Sequence, residues 1–302
     1  MGKMNESCIT NSTLHPQLRF LVITMQRSGS GWLQETLSLR SGGRVKPGYE
    51  LFCDFNGPER HPGPGLGCGC GGTQETPSNS AVWRCTCAFE HEYVRQARDE
   101  SNERLIGFKF ILPHNRQTTS PVAFRTLAKA VCTLNVPTVF IWRANVLRRY
   151  ISMHALLWSN TEFGRDMAHP TDAQQTEMLG AHKPSVQRLH DLVRQIEQEQ
   201  ASQRAVEAAF ASESCAATRS ALTFYYEQLI DGAKGSAARW GELLRLLHVW
   251  PQSHLKVIHA ERPLLETISN TDEVVRTLNA TPHAWMLTSD LPPSIADPVA
   301  HV

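Results

Sequence analysis

The stretch Arg19-Phe-Leu-Val-Ile-Thr-Met-Gln-Arg-Ser-Gly-Ser-Gly-Trp-Leu-Gln-Glu-Thr-Leu37 decides how the chain is read. Phe20 to Met25 is an unbroken apolar run apart from Thr24, the pattern of a buried strand. Small residues follow, Arg27-Ser28-Gly29-Ser30-Gly31, and then Trp32, Leu33, Thr36 and Leu37 recur at helical spacing. Strand, small-residue loop and helix together aim backbone N–H groups and a helix N-terminus at an anion. The loop lacks the Gly-Lys-Ser/Thr ending of an ATP-binding loop, so nothing in it supplies the hydroxyl that holds Mg²⁺. Arg27 stands before the glycines instead, and the stretch reads as a phosphate cradle that works without metal.

Outward from this unit the chain alternates. Leu105–Leu112 and Pro137–Trp142 are further buried strands, and Ala221–Tyr226 is a fourth. Helical periodicity covers about 122–134, 145–159, 184–211 and 240–247, with a further helix around 89–99. Residues 41–57 read as a loop leading to a short apolar element, and 160–183 as irregular. Residues 1–17 are a loose polar tail, 18–288 one domain, 58–87 a Gly/Pro/Cys-rich insertion loop and 289–302 a C-terminal tail. Strands alternating with helices predict an α/β fold, a parallel sheet flanked by helices with a P-loop-like nucleotide site. Ligands of such sheets bind beyond the carboxyl ends of the strands. The Arg27–Gly31 loop and the segment from Arg143 to Arg149 each follow a strand's carboxyl end and are expected on one rim.

That second segment, Trp142-Arg-Ala-Asn-Val-Leu-Arg-Arg-Tyr-Ile-Ser152, opens a helix with three arginines, an asparagine and a serine. Arginine's planar fork suits phosphate. Helical spacing places Asn145, Arg148, Arg149 and Ser152 on one broad face. A solvated basic helix start is the plainer alternative. Thirty basic against 29 acidic residues leave a net charge of +1, which excludes nucleic-acid binding through bulk charge.

On these residues the chain resembles the PAPS-dependent sulfotransferases, closest to the plant and algal membrane-type branch and to bacterial trehalose-sulfotransferase-like enzymes. The family's (K/R)SGS/T-x-W core matches Arg27–Trp32, and Asn145 and Ser152 keep the family's seven-residue separation. Gly107-Phe-Lys-Phe110, Arg143–Ser152, His182-Lys-Pro184, Tyr226-Glu-Gln-Leu229 and Ile268–Thr281 match further motifs in order. Ala144 and Thr271 depart from the pattern, and Gly31 stands where threonine is common.

The resemblance implies a sulfotransferase fold and transfer of a sulfuryl group from PAPS, 3′-phosphoadenosine 5′-phosphosulfate, to a hydroxyl acceptor on a carbohydrate. No metal is implied. Ser28, Gly29, Ser30 and Gly31 would hold the 5′-phosphate, Arg143 and Ser152 the 3′-phosphate, and Trp32 and Tyr226 the adenine. Arg27 would stabilise the leaving group. Glu50, in Lys46-Pro-Gly-Tyr-Glu-Leu-Phe52, is the first candidate base and His114 the second. A non-catalytic nucleotide- or glycan-binding relative and a P-loop kinase are the alternatives.

No apolar run approaches the length of a membrane span, and the polar N-terminus has no signal-peptide core. The chain as it stands reads as soluble. The plant relatives are in the Golgi, and a cytoplasmic location is the alternative. Three N-x-S/T sequons, at Asn5, Asn11 and Asn279, and two CxC pairs, Cys68/Cys70 and Cys85/Cys87, lean toward a lumen. The CxC pairs admit disulfides, a zinc site or unpaired thiols.

Overall fold

The structure is a computed structural model. It describes residues 19–25, 28–51, 105–112, 121–153, 188–230, 235–250 and 264–293, with a few isolated positions between 82 and 89 and between 183 and 186. The N-terminal tail, the insertion loop, most of the helix expected over 89–99 and the segment 160–183 lie outside the described residues. Contacts group the chain into two compact units.

The first unit carries a five-stranded sheet in the order β2-β3-β1-β4-β5. Its strands are β1 (Arg19–Met25), β2 (Val45–Leu51), β3 (Leu105–Leu112), β4 (Thr138–Trp142) and β5 (Leu222–Tyr225). The β1–β3, β1–β4 and β2–β3 pairs are all parallel. Helix α1 (Ser30–Arg40) lies between β1 and β2 in sequence, and α2 (Pro121–Leu134) between β3 and β4. Every residue of β1 and of β4 is buried. Side chains alternate between the two faces of a strand, so complete burial means both faces are covered, as parallel sheets require. The α/β class read from the alternating pattern is therefore present, with a parallel sheet flanked by helices.

Residues 41–57 depart from the reading of a loop and a short apolar element, because 45–51 pair with β3. Pro47 and Gly48 hide this strand from a propensity reading. It is the edge strand of the sheet, where a missing N–H is tolerated, and its register shifts between Pro47 and Glu50.

Two contacts seat α1 and β3 against the sheet. The buried Gln34 donates its amide N–H to the carbonyl of Gly107 at 3.0 Å. Gly107 itself lies beneath the Phe20 ring: a Cβ there would come within 2.3 Å of Phe20 Cζ. Phe20 is fully buried in β1, the strand next to β3. A glycine in a buried strand otherwise weakens it, so its place here is explained by the ring it admits. Gly107→Ala is expected to cost about 2–3 kcal/mol through overpacking. Adding Phe20→Leu to the same chain is expected to recover part of that loss. Urea midpoints of the two variants check this, and an unchanged midpoint for Gly107→Ala would refute it.

The rest of the first unit closes over β4 and β5. It contains the C-terminal part of α4 (Leu189–Ala211), the short α5 (Ala216–Arg219) and α7 (Ser236–Leu246). Phe140 meets Phe210 edge-on at 5.1 Å. Glu207 accepts hydrogen bonds from Trp142 Nε1 at 2.6 Å and Thr223 Oγ1 at 2.9 Å, tying α4 to both strands. A disulfide joins Cys132, in the last turn of α2, to Cys215, which caps α5. Neither cysteine belongs to a CxC pair. Of those four, Cys68, Cys70 and Cys87 lie outside the described residues, and Cys85 is buried.

The second unit is a separate, mostly helical cluster. It holds the turn from Arg143 and the helix that continues it over 146–153 (α3), residues 189–201 of α4, and α6 (Tyr226–Leu229). It also holds α8 (Thr271–Asn279) and two 3₁₀ turns, Leu264–Thr267 and Ala284–Leu287. Val146, Leu147, Ile151, Leu192, Ile196, Val274 and Leu278 form its core. No helix among the described residues is long and apolar enough to cross a membrane.

Candidate functional site

The cradle belongs to the first unit. β1 ends at Met25 and α1 begins at Ser30. Between them Gly29 takes φ 84° and ψ 13°, the left-handed region that glycine enters without cost and other residues avoid. This conformation stands directly before the first residue of α1. The Ser28 N–H donates to Met25 O at 3.2 Å, and the Leu33 N–H donates to Gly29 O at 2.8 Å. Among the described residues no side chain caps the N-terminus of α1, and its first turn holds no acidic residue. The positive end of the helix dipole is thus left unneutralised.

Two further features mark the cradle. Ser28 is fully buried, and among the described residues its Oγ has no hydrogen-bond partner. A buried hydroxyl left unmatched is costly and uncommon, and calls for an explanation. Gly31, one turn position into α1, has open space where a Cβ would stand. Among the described residues nothing requires glycine at that position. An orphaned donor, an uncapped helix start and free room are the features an oxyanion would use. Trp32 is buried and packs on Trp240 at 5.9 Å between ring centroids, with the Arg40 guanidinium 4.5 Å from the centroid of Trp240.

Arg27 and His114 lie outside the described residues. Glu50 is described through its backbone. It is paired in register with Lys109 of β3, which is in turn paired with Val22 of β1. Glu50 is therefore level with a position three residues before the end of β1, about 10 Å back along the strand.

The strand ends themselves are level. Thr24 pairs with Ile141, so Met25 and Trp142 close their parallel strands side by side. The cradle follows the first in sequence and Arg143 follows the second.

Within the second unit the turn after Trp142 is organised by one carboxylate, Glu227. It accepts the N–H of Ala144 at 2.9 Å and the N–H of Asn145 at 3.4 Å. Arg143 Nε lies 3.5 Å from its Oε1. The same guanidinium sits 5.0 Å from the centroid of the Tyr226 ring, a cation–π contact. Burial pushes the Glu227 carboxyl up to about 7, against the pull of Arg143 and the backbone N–H groups. The structure thus brings Arg143 and Tyr226 into contact.

The other polar residues of the segment are engaged internally. Asn145 Oδ1 caps α3 by accepting the Arg148 N–H at 3.1 Å. Its Nδ2 donates to Met286 O at 2.8 Å and Ser289 O at 2.9 Å. Arg148 is ion-paired with Asp290, and the buried Arg149 with the buried Glu199. Burial raises the Glu199 carboxyl against the pull of Arg149. Ser152 is half-buried on the same helix. The broad basic face read from spacing is therefore divided, and Arg143 is the arginine that shares its place with Tyr226. Glu227 carried no role in the sequence reading. Its only signal was adjacency to Tyr226 in Tyr226-Glu227-Gln228-Leu229.

Compared with protein-family models, curated proteins and solved structures, the chain matches none.

Proposed function

We propose that the protein is a PAPS-dependent sulfotransferase that moves a sulfuryl group to a hydroxyl, on a carbohydrate acceptor, in a sulfotransferase-type elaboration of the α/β fold. The observation that carries this reading is the buried, unmatched Ser28 hydroxyl at the foot of an uncapped helix. Such a cradle favours a phosphate ester and, with no lysine-serine ending, needs no metal to complete it. Arg143, shelved on Tyr226, supplies a second cationic group of the kind a 3′-phosphate would require.

The chain's own residues then take these parts. Ser28 and the backbone N–H groups of Gly29, Ser30 and Gly31 orient the 5′-phosphate. Arg143 with Ser152 holds the 3′-phosphate. Tyr226 and Trp32 are the aromatic residues assigned to the base. Glu50, or His114 in its stead, accepts the proton of the acceptor hydroxyl as the hydroxyl oxygen bonds to sulfur. Arg27, by its position in the sequence, meets the charge that builds on the bridging oxygen as the sulfur–oxygen bond breaks. PAPS supplies the activated sulfuryl group, and adenosine 3′,5′-bisphosphate leaves.

Calorimetric titration with adenosine 3′,5′-bisphosphate in EDTA, beside AMP and ATP, tests the reading. The bisphosphate is expected to bind at least tenfold more tightly than either, since each charge-assisted phosphate contact contributes about 1.5–3 kcal/mol. Ser28→Ala should weaken it about tenfold. Equal affinity for all three nucleotides would reject the function.

A further inference from the structure

Three arginines follow β4, and the carboxylates that meet them differ in their access to water. Glu227, beside Arg143, has a side chain only 1% exposed, and Glu199, paired with Arg149, one 6% exposed. Asp290, paired with Arg148, keeps 38% of its side chain exposed. Parting a buried pair strands both charges, whereas a carboxylate at the surface trades its partner for water with little loss. Of the three pairs, Arg148–Asp290 is the one open to exchange.

Asp290 also stands where it can move without disturbing the core. It follows the 3₁₀ turn Ala284–Leu287, whose Met286 and Leu287 are buried in the second unit beside Val146 and Leu147. The fully buried Asn145 donates its Nδ2 to Met286 O at 2.8 Å and to Ser289 O at 2.9 Å. The Ser289 N–H donates to Trp285 O at 2.8 Å. The segment is thus strapped to the start of α3 as far as Ser289 by contacts that do not involve Asp290. On the arginine side, the Arg148 N–H donates to Asn145 Oδ1 at 3.1 Å, which fixes the residue at the cap of the helix whatever its guanidinium meets.

Arg148 precedes Ser152 by four residues on α3, and residues four apart are neighbours on a helix surface. An anion held at Ser152 therefore competes with Asp290 for the same guanidinium. Resting on the reading of Ser152 as a ligand of the 3′-phosphate, we propose that Arg148 is a further ligand of that phosphate, and that Asp290 is an internal counter-ion which the phosphate displaces. The exchange concerns this one partner of Arg148 and leaves its others in place. A phosphate ester carries more charge than a carboxylate and offers more acceptor oxygens, so it is the stronger competitor for an arginine fork. Asp290 thus lowers the affinity of the site by the strength of its own pairing.

The test titrates adenosine 3′,5′-bisphosphate, and AMP as the ligand without a 3′-phosphate, into the wild type and variants by calorimetry in EDTA at low salt. Asp290→Asn, and Asp290→Ser beside it, are expected to tighten bisphosphate binding about three- to fivefold, the worth of a partly exposed ion pair. Affinity for AMP should change by less than about twofold. Asp290→Glu restores the counter-ion and should return the wild-type value. Arg148→Ala should weaken bisphosphate binding about threefold or more, and adding Asp290→Asn to it should then matter by less than about twofold. The sign is decisive, because a residue that only braces the fold gives weaker binding when removed. Bisphosphate binding that Asp290→Asn leaves unchanged or weakens, or a gain that persists in Arg148→Ala or appears equally with AMP, would overturn the inference while leaving the function intact. No bisphosphate binding in any of these proteins would remove the function and the inference with it.

Discussion

Replacing Cys132 and Cys215 together by serine is expected to lower the stability of the folded chain by about 4–5 kcal/mol. The two cysteines are 83 residues apart in sequence, and closing a loop of that size removes about 4.5 kcal/mol of chain entropy from the unfolded state. The bridge joins the end of α2 to the cap of α5, after the chain has passed through β4, α3 and α4. The loop takes in a little over a quarter of the chain. Serine at 215 keeps an oxygen for the Thr218 N–H, which now donates to Cys215 Sγ at 3.5 Å, so the substitution removes the link with little damage to the cap. Urea unfolding of the oxidised wild type, the dithiothreitol-treated wild type and the double variant measures the effect. The last two should share a midpoint well below the first. Thiol titration of the denatured, unreduced wild type should find at most six of its eight cysteines reactive. Eight reactive thiols, or an unchanged midpoint in the double variant, would refute the bridge.

Glu199→Ala is expected to cost about 3–5 kcal/mol, because it removes the carboxylate paired with the buried Arg149 guanidinium in the second unit. Each side chain of the pair is 7% exposed or less. Their net contribution is another matter. Both ions lose their hydration on folding, and among the described residues one Glu199 oxygen has no hydrogen-bond partner. Arg149→Met combined with Glu199→Leu is therefore expected to lie within about 1 kcal/mol of the wild type, or above it. The two single variants and the double variant form a thermodynamic cycle read by urea unfolding. A Glu199→Ala loss under 1 kcal/mol would show that Arg149 finds water, and that the pair is not sealed as described.

How much of this was legible in the sequence differs by element. β1, β3 and β4 were readable to within one or two residues, because strands buried on both faces are continuous apolar runs. α2 was readable from its 3.6-residue period. β2 was not, since Pro47 and Gly48 carry turn propensity. Its strand state comes from pairing with β3, which is 60 residues away in sequence. At the site, the cradle's shape was legible through Gly29, whose left-handed conformation few other residues would adopt at that turn. The fate of the arginines was not. Helical spacing says which residues share a face, but says nothing of what lies opposite.

Read alone, the chain specifies an α/β protein with a glycine-bearing turn from strand into helix and a basic turn after a neighbouring strand. Those follow from patterns that span a few residues. Tertiary structure settled which charges pair with which. Arg148 goes to Asp290, Arg149 to Glu199 and Arg143 to Glu227, across separations of 142, 50 and 84 residues. It settled likewise that Cys132 meets Cys215. The physical reason is one of range: backbone conformation and burial period are written locally, whereas an ion pair or a disulfide depends on which distant surface folding brings within a few ångströms.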